Sequence, residues 1–274
     1  MTNWTPFQPL PNADDLAKAL SDLPSHWSLT PLWEKRPYRE GWQKEALISH
    51  GDIAKILKQG EERISKRTGQ PYRAFCSGYG LRLGDVSGGL LAVDVDGKSA
   101  EVLLNALAIS PLPETVSWTS GKSGRRQLLY QIPESYRNSL QSFRRQTFTQ
   151  WENYATDAGE LLEFRYNQHQ SVLPPSFHGE TGQYYWLLSP EQIKVAIAPL
   201  WLCDFLIQVS QPQPKTIEKS FSGIRAIPSG EQENNELSSL LTTVSDRLSV
   251  EQIYHWSGHS VSLFSGGISN RSRD

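Results

Sequence analysis

GLLAVDVDG, residues 89–97, is the stretch that decides the fold. Its apolar run is short, ends in Asp94 and Asp96, and is closed by Gly97. Such a run reads as a buried strand. Residues i and i+2 of a strand share a face, so the two carboxylates stand side by side and repel each other. A divalent cation relieves that repulsion, and hard oxygen ligands suit magnesium or manganese. The same pair can instead meet water at a strand end and open a turn at Gly97. Spacing tests two further alternatives. A calcium-binding EF-hand loop counted from Asp94 needs glycine and glutamate where the chain has Ser99 and Asn105, so that reading fails. A haloacid-dehalogenase-like phosphatase also opens on an apolar strand with Asp-x-Asp-Gly. It wants threonine or serine where Lys98 stands, which weakens it without removing it.

Working outward, TSGKSGRRQLLY (119–130) contains Gly-Lys-Ser, the tail of a nucleotide-binding P-loop. The first glycine of that motif should stand at Val116, and a helix should follow. RQLLYQIP follows instead, a short apolar run closed by Pro133 that reads as a strand. The stretch is therefore strand, glycine-rich basic loop, strand. Lys122, Arg125 and Arg126 on such a loop suit a phosphate, by charge and by free backbone N–H groups. A solvated hairpin tip is the bland alternative.

The remaining pattern alternates helices and strands irregularly. Asn12 is placed to cap a helix over ADDLAKALSDL (13–23). HWSLTPLW (26–33) reads as a strand, and GDIAKILKQGEERISKR (51–67) as a second helix. GYGLRLG (78–84) precedes the aspartate strand, and SAEVLLNALAI (99–109) follows it as a helix. PESYRNSLQSFRRQTF (133–148) is predicted helical, with Pro133 at its start. GELLEFRY, QSVLP and QYYWLL read as strands, and PLWLCDFLIQ (199–208) as a closing helix. The mixture predicts an α+β domain over 1–210 with a partly antiparallel sheet, rather than a βαβ repeat. The polar, proline-bearing stretch at 211–234 predicts a linker. A short helical segment and polar tail at 235–274 would begin a further C-terminal region.

The 274 residues are 38% hydrophobic and 20% charged, which fits a folded chain rather than a disordered one. A net charge of -2 means that any anion-binding surface must be local. Two isolated cysteines, Cys76 and Cys203, argue against a zinc site. The first residues lack the basic and apolar regions of a signal peptide, and no apolar run approaches a membrane span. A soluble, cytoplasmic protein is the expectation.

A third acid stands in ELLEFRY (160–166), where Glu163 and Arg165 share a strand face. LPPSFH (173–178) then sets two prolines, a serine and His178 in a stiff turn before QYYW. The ordered set LAVDVDG, SGRRQLLY, LEFR and VLPPSFHGETGQYYW resembles the archaeo-eukaryotic primase superfamily. In particular it is similar to the bifunctional primase–polymerase (prim-pol) domains of plasmids, phages and mobile elements. LTPLWEKRPYREGW (29–42) and GYGLRLGDVSGG (78–89) look like that family's opening segment and its glycine-punctuated approach to the aspartates. The resemblance covers roughly residues 25 to 190.

The resemblance implies an RRM-like catalytic sheet with helices packed against it, joined to an N-terminal αβ unit. It implies a template-dependent DNA primase and DNA polymerase working by two-metal nucleotidyl transfer, with Mg2+ or Mn2+ on Asp94, Asp96 and Glu163. It implies a triphosphate cradle of Ser120, Lys122, Ser123, Gly124, Arg125, Arg126 and Gln127, with Arg165 and His178 on the nucleotide or its phosphates. Where the family loop carries a histidine this chain has Gln127, which donates a hydrogen bond but carries no charge. Single-stranded DNA or a primer-template and NTP or dNTP are the implied partners, with a helicase region or partner beyond. Arg137, Arg144 and Arg145 are candidates for the template strand, or equally for the solvated face of a helix. The competing readings are the phosphatase and a catalytically weakened, nucleic-acid-binding relative.

Overall fold

The structure is a computed structural model and describes residues 12–211, all within one unit. The expected linker beyond Gln211 and the helical segment and tail after it lie outside the described residues. The first strands are β1 (Leu29–Trp33), β2 (Arg36–Pro37), β3 (Glu61–Ile64), β4 (Pro71–Ala74) and β5 (Gly78–Arg82). Next come β6 (Leu90–Asp96), β7 (Ser117–Thr119), β8 (Arg125–Gln131) and β9 (Arg145–Phe148). Then follow β10 (Gln150–Trp151), β11 (Tyr154–Ala155), β12 (Leu161–Arg165) and β13 (Gln170–Val172). The last are β14 (Phe177–His178), β15 (Gly182–Gln183), β16 (Tyr185–Leu188) and β17 (Ala196–Ile197). The helices are α1 (Ala13–Ala19), α2 (His50–Gln59), α3 (Lys98–Leu107), α4 (Glu134–Arg137) and α5 (Leu200–Ser210).

The main sheet runs β16-β7-β8-β6-β12-β9, every neighbour antiparallel, and β17 adds to β8 in parallel. A second sheet runs β13-β5-β1-β2. The fold is thus mixed α+β with antiparallel sheets. Alternation along the strands of the main sheet makes two cores. Leu91, Val93 and Val95 of β6, with Leu128, Tyr130, Leu162 and Phe164, pack on Leu103 and Leu104 of α3 and Phe205 and Leu206 of α5. On the opposite face Leu90, Ala92, Trp118 and Leu129 join Leu29, Tyr79 and Leu81 of the second sheet and Leu16 and Leu57 of α1 and α2.

Two predicted helices are shorter than expected. α2 stops at Gln59 because Gly60 turns left-handed, at φ +69°. A β-carbon there would stand 2.8 Å from the carbonyl oxygen of Ala74. The chain then doubles back as the β3–β4 hairpin, whose first strand falls in residues expected to be helical. In 133–148 only α4 is helical. Asn138 and Ser139 are weak helix formers. The following residues gain more as β9, which pairs with β12 and seats Phe148 against Phe164, Trp151 and Phe205. Asn12 occupies the N-cap position of α1, yet its side chain makes no capping bond.

The helix α5 is integral to the second of these cores, since Leu202, Cys203, Phe205 and Leu206 are all buried. A buried leucine or phenylalanine contributes about 1.5–3 kcal/mol, and a domain's net stability is only about 5–15 kcal/mol. A chain truncated after Gln211 is therefore expected to unfold in one cooperative denaturant transition. One truncated after Pro199 is expected to lose that transition, as read by circular dichroism.

Candidate active site

The register of three strands assembles the acids. Asp94 lies directly across from Glu163 in β12 and from Gln127 in β8. Asp96 lies across from Arg125. Val93 and Val95 take the alternate positions and point into the α3–α5 core. Glu163 is 7% exposed, and its neighbours Leu162 and Phe164 are fully buried on the other face. The third acid, far along the chain, therefore shares the face of the first two.

Each acid meets an arginine. The Arg165 guanidinium donates to both Asp94 and Glu163, and its Nη1 donates to Ser171 Oγ at 3.3 Å. Arg145 Nε stands 3.3 Å from Glu163 Oε1, which also accepts from Thr147 Oγ1 at 3.3 Å. Arg125 Nη1 stands 2.8 Å from Asp96 Oδ1. Burial pushes the Asp94 carboxyl up to about 6; Arg165 opposes this, while Asp96 and Glu163 reinforce it. Burial pulls the Arg165 guanidinium down, but Asp94 and Glu163 outweigh it and leave it raised.

Among the described residues no three Asp, Glu, His or Cys side chains stand close enough together to hold a metal ion as they lie. In kind the donors fit a hard divalent cation: three carboxylates on one face. A cation there would compete with Arg165 for Asp94 and Glu163. Gln127 Oε1, buried on the same face, has no hydrogen-bond partner, an orphan acceptor that a cation or a ligand N–H or O–H would satisfy.

The basic loop hangs between β7 and β8. Thr119 Oγ1 accepts from Gly121 N at 3.0 Å and donates to the Arg125 carbonyl at 2.6 Å, which fixes the turn. Gly124 is left-handed, at φ +72°, and lies against α3: a β-carbon there would be 3.0 Å from Lys98 N. Ser123 and Gly124 are exposed. Lys122 Nζ is 2.6 Å from Glu180, and Ser120 lends its carbonyl to Thr181 Oγ1. Arg126 pairs with Val95 in the ladder, and so falls on the opposite parity from Gln127. Its guanidinium donates to both oxygens of Glu101 on α3, at 3.0 and 2.7 Å.

The LPPSFH turn carries His178 to the other wall. Ser176 Oγ accepts from Tyr79 N at 2.9 Å and donates to the Tyr79 carbonyl at 3.1 Å, tying the turn to β5. His178 Nδ1 faces the backbone N–H groups of Glu180 and Thr181, at 3.3 and 3.2 Å. An acceptor at Nδ1 places the proton on Nε2. Burial, then Lys35 and Lys122, lower the His178 pKa, so the ring is a neutral donor.

Asp94, Asp96, Glu163, Arg165, Gln127 and His178 line one cleft of about 410 Å³. Ser120, Arg125, Arg126 and Arg145 also line it, while Lys122, Gly124 and Arg125 line a neighbouring hollow toward α3. Arg137 is placed elsewhere, beside Gly89 and Gln131 at the far end of β6 and β8. Arg144 lines a separate cavity. Sequence reasoning missed Trp118, Gln170 and Tyr184 as cleft residues. Lys35 and Trp42, also in the cleft, stood in the quoted opening segment without a role. Nothing in the sequence marks Gln170, whose amide donates to the Lys35 carbonyl at 3.0 Å.

No helix among the described residues is long and apolar enough to cross a membrane. A search among curated proteins gave no match. A family model described as bifunctional DNA primase/polymerase, N-terminal, matches residues 19–201, more than half of the chain, and takes in every motif set out above. That match sets the phosphatase reading aside, and the chain belongs to the Prim-Pol family.

Proposed function

We propose that the cleft carries out template-directed nucleotidyl transfer, as the working site of a DNA primase/polymerase. Membership of the family gives the general class, a nucleotidyltransferase acting on DNA and nucleotides. The finer reading rests chiefly on one observation, the direct cross-strand pairing of Glu163 with Asp94. In the reaction a 3′-oxygen bonds to the α-phosphorus, and the bond from that phosphorus to the bridging oxygen of pyrophosphate breaks.

Asp94, Asp96 and Glu163 would hold magnesium or manganese, which supplies positive charge for the attacking and leaving oxygens. Lys122 and Arg125 bind the triphosphate, where preplaced charge meets the charge that develops on the leaving group. His178 donates from Nε2, and the Gln127 amide takes the place of the family histidine. Arg165 hands its carboxylates over and turns to the nucleotide. An antiparallel sheet with α3 and α5 on one face and the cleft on the other supports the RRM-like description. The resemblance also favours replication of a plasmid, phage or mobile element as the setting, and residues 1–210 as the catalytic domain. A second reading, DNA binding without catalysis, draws on the arginine paired to every acid and on Gln127.

Primer extension with each nucleotide set, in magnesium and in manganese, separates the two. Incorporation supports the first reading, and DNA binding with no incorporation in either metal supports the second. Asp94→Ala is expected to cut extension by about a thousandfold, the scale of losing one preorganised electrostatic group. Its circular dichroism should stay that of the native protein. Retained extension in that variant would sink the proposal. Gln127→His should keep activity and lower the nucleotide KM below about pH 6.5, where imidazole gains charge. The KM at pH 8.5 should match that of the native enzyme. An inactive Gln127→His protein would show a site rebuilt around glutamine.

A further inference from the structure

Beside the catalytic cleft lies a second cavity of about 300 Å³. Trp42 and His169 line both, so the two spaces meet at these side chains. The second cavity is polar and carries two cations, Arg82 from β5 and Arg144 from the segment leading into β9. Arg82 is only 4% exposed. Its guanidinium donates to the main-chain carbonyls of Gln43 at 3.0 Å and Glu45 at 3.2 Å. Arg144 Nη1 likewise donates to carbonyls, those of Gln141 at 2.8 Å and Phe143 at 3.4 Å.

Among the described residues neither arginine forms an ion pair, although each of the four arginines that line the catalytic cleft has a carboxylate. The Glu45 carboxylate is turned to Arg39, at 3.5 Å. Asp85, the acid of this cavity, accepts from the Tyr166 hydroxyl at 3.1 Å. The Asn167 amide is committed at both ends, to Asp85 N and to the Gln141 carbonyl, and serves as wall. A buried cation without an anion is costly, and a bound anion would offset that cost. Burial lowers the Arg82 pKa, and Glu45 opposes it.

An aromatic face beside paired cations is the arrangement that receives single-stranded nucleotides, base on ring and phosphate on arginine. We infer that this cavity binds a second nucleotide unit, its phosphate on Arg82 and Arg144 and its base against Trp42, next to the cleft. The inference deepens the proposed function and rests on it for the meaning of the site. The phosphate and base belong either to a free nucleotide that starts a chain or to one residue of a bound DNA strand.

The test uses the full chain with GTP, followed by calorimetry, and a labelled 15-nucleotide oligothymidylate, followed by anisotropy. Arg144→Ala and Trp42→Ala are compared with Trp42→Phe and with Lys55→Ala, which removes an exposed charge on α2. Loss of a charged contact or of a stacking face should weaken binding by about tenfold. Trp42→Phe should retain most of the affinity. A loss confined to the oligonucleotide assigns the site to a strand. A fall from two bound GTP to one, with oligonucleotide binding intact, assigns it to the starting nucleotide. If Arg144→Ala and Trp42→Ala both stay within about twofold of Lys55→Ala in both arms, the inference is overturned. A native protein that extends no primer but binds the oligonucleotide through Arg144 and Trp42 would fail the catalytic proposal and keep this site.

Discussion

The pairing of β12 with β6 is the constraint on which the rest depends. Side chains alternate along a strand, so register decides which residues face the cleft and which face the core. In the observed register Glu163 and Arg165 stand over the aspartates, while Leu162 and Phe164 complete the core beneath. A slip of one residue would bury two charges and expose two large apolar side chains. The core therefore sets the face: Phe164, wedged against Phe148 and Phe205, directs its chain neighbour Glu163 to the opposite side of the sheet.

Charge balance is the second theme. Three carboxylates on one face would repel one another strongly in a half-buried cleft, and three arginines answer them. The arginines come from β8, β9 and β12 and the acids from β6 and β12, so the four strands β8, β6, β12 and β9 are tied together on the cleft side as well as by their ladders. The face is preorganised but occupied, and on the proposed function a cation or triphosphate would enter by exchanging partners with side chains already there. Asp94, Glu163 and Arg165 are the members most withdrawn from water, so charge exchanged there interacts more strongly than it would at an exposed site.

Much of this was legible in the sequence. The apolar run into Asp94 and Asp96, the basic loop with its glycines, and Glu163 two residues before Arg165 each follow from strand periodicity or composition. What stayed hidden depends on partners distant in the chain. Strand β3 occupies residues read as the end of a helix, and Gly60, at positive φ against Ala74, ends that helix before them. Arg144 and Arg145 looked like one helix face. In the fold Arg145 joins Glu163 while Arg144 lines another cavity, since the segment becomes an edge strand. Arg126 looked equivalent to Arg125, and only the parity of β8 sends it to Glu101. Arg82 read as one residue of a glycine-rich strand, and no local pattern shows that its charge is buried without a carboxylate.

The tie between the basic loop and the hairpin of β14 and β15 has a consequence for how substrate is sensed. Lys122 holds Glu180, and Thr181 holds the Ser120 carbonyl through its hydroxyl and the ring of His178 through its backbone N–H. Loop and hairpin are thus hinged to each other at two points. On the proposed function, a triphosphate that took Lys122 would leave Glu180 without its partner. Lys122 thus couples the basic loop to the same hairpin that carries His178, so a substitution at Lys122 reaches the histidine wall without touching it.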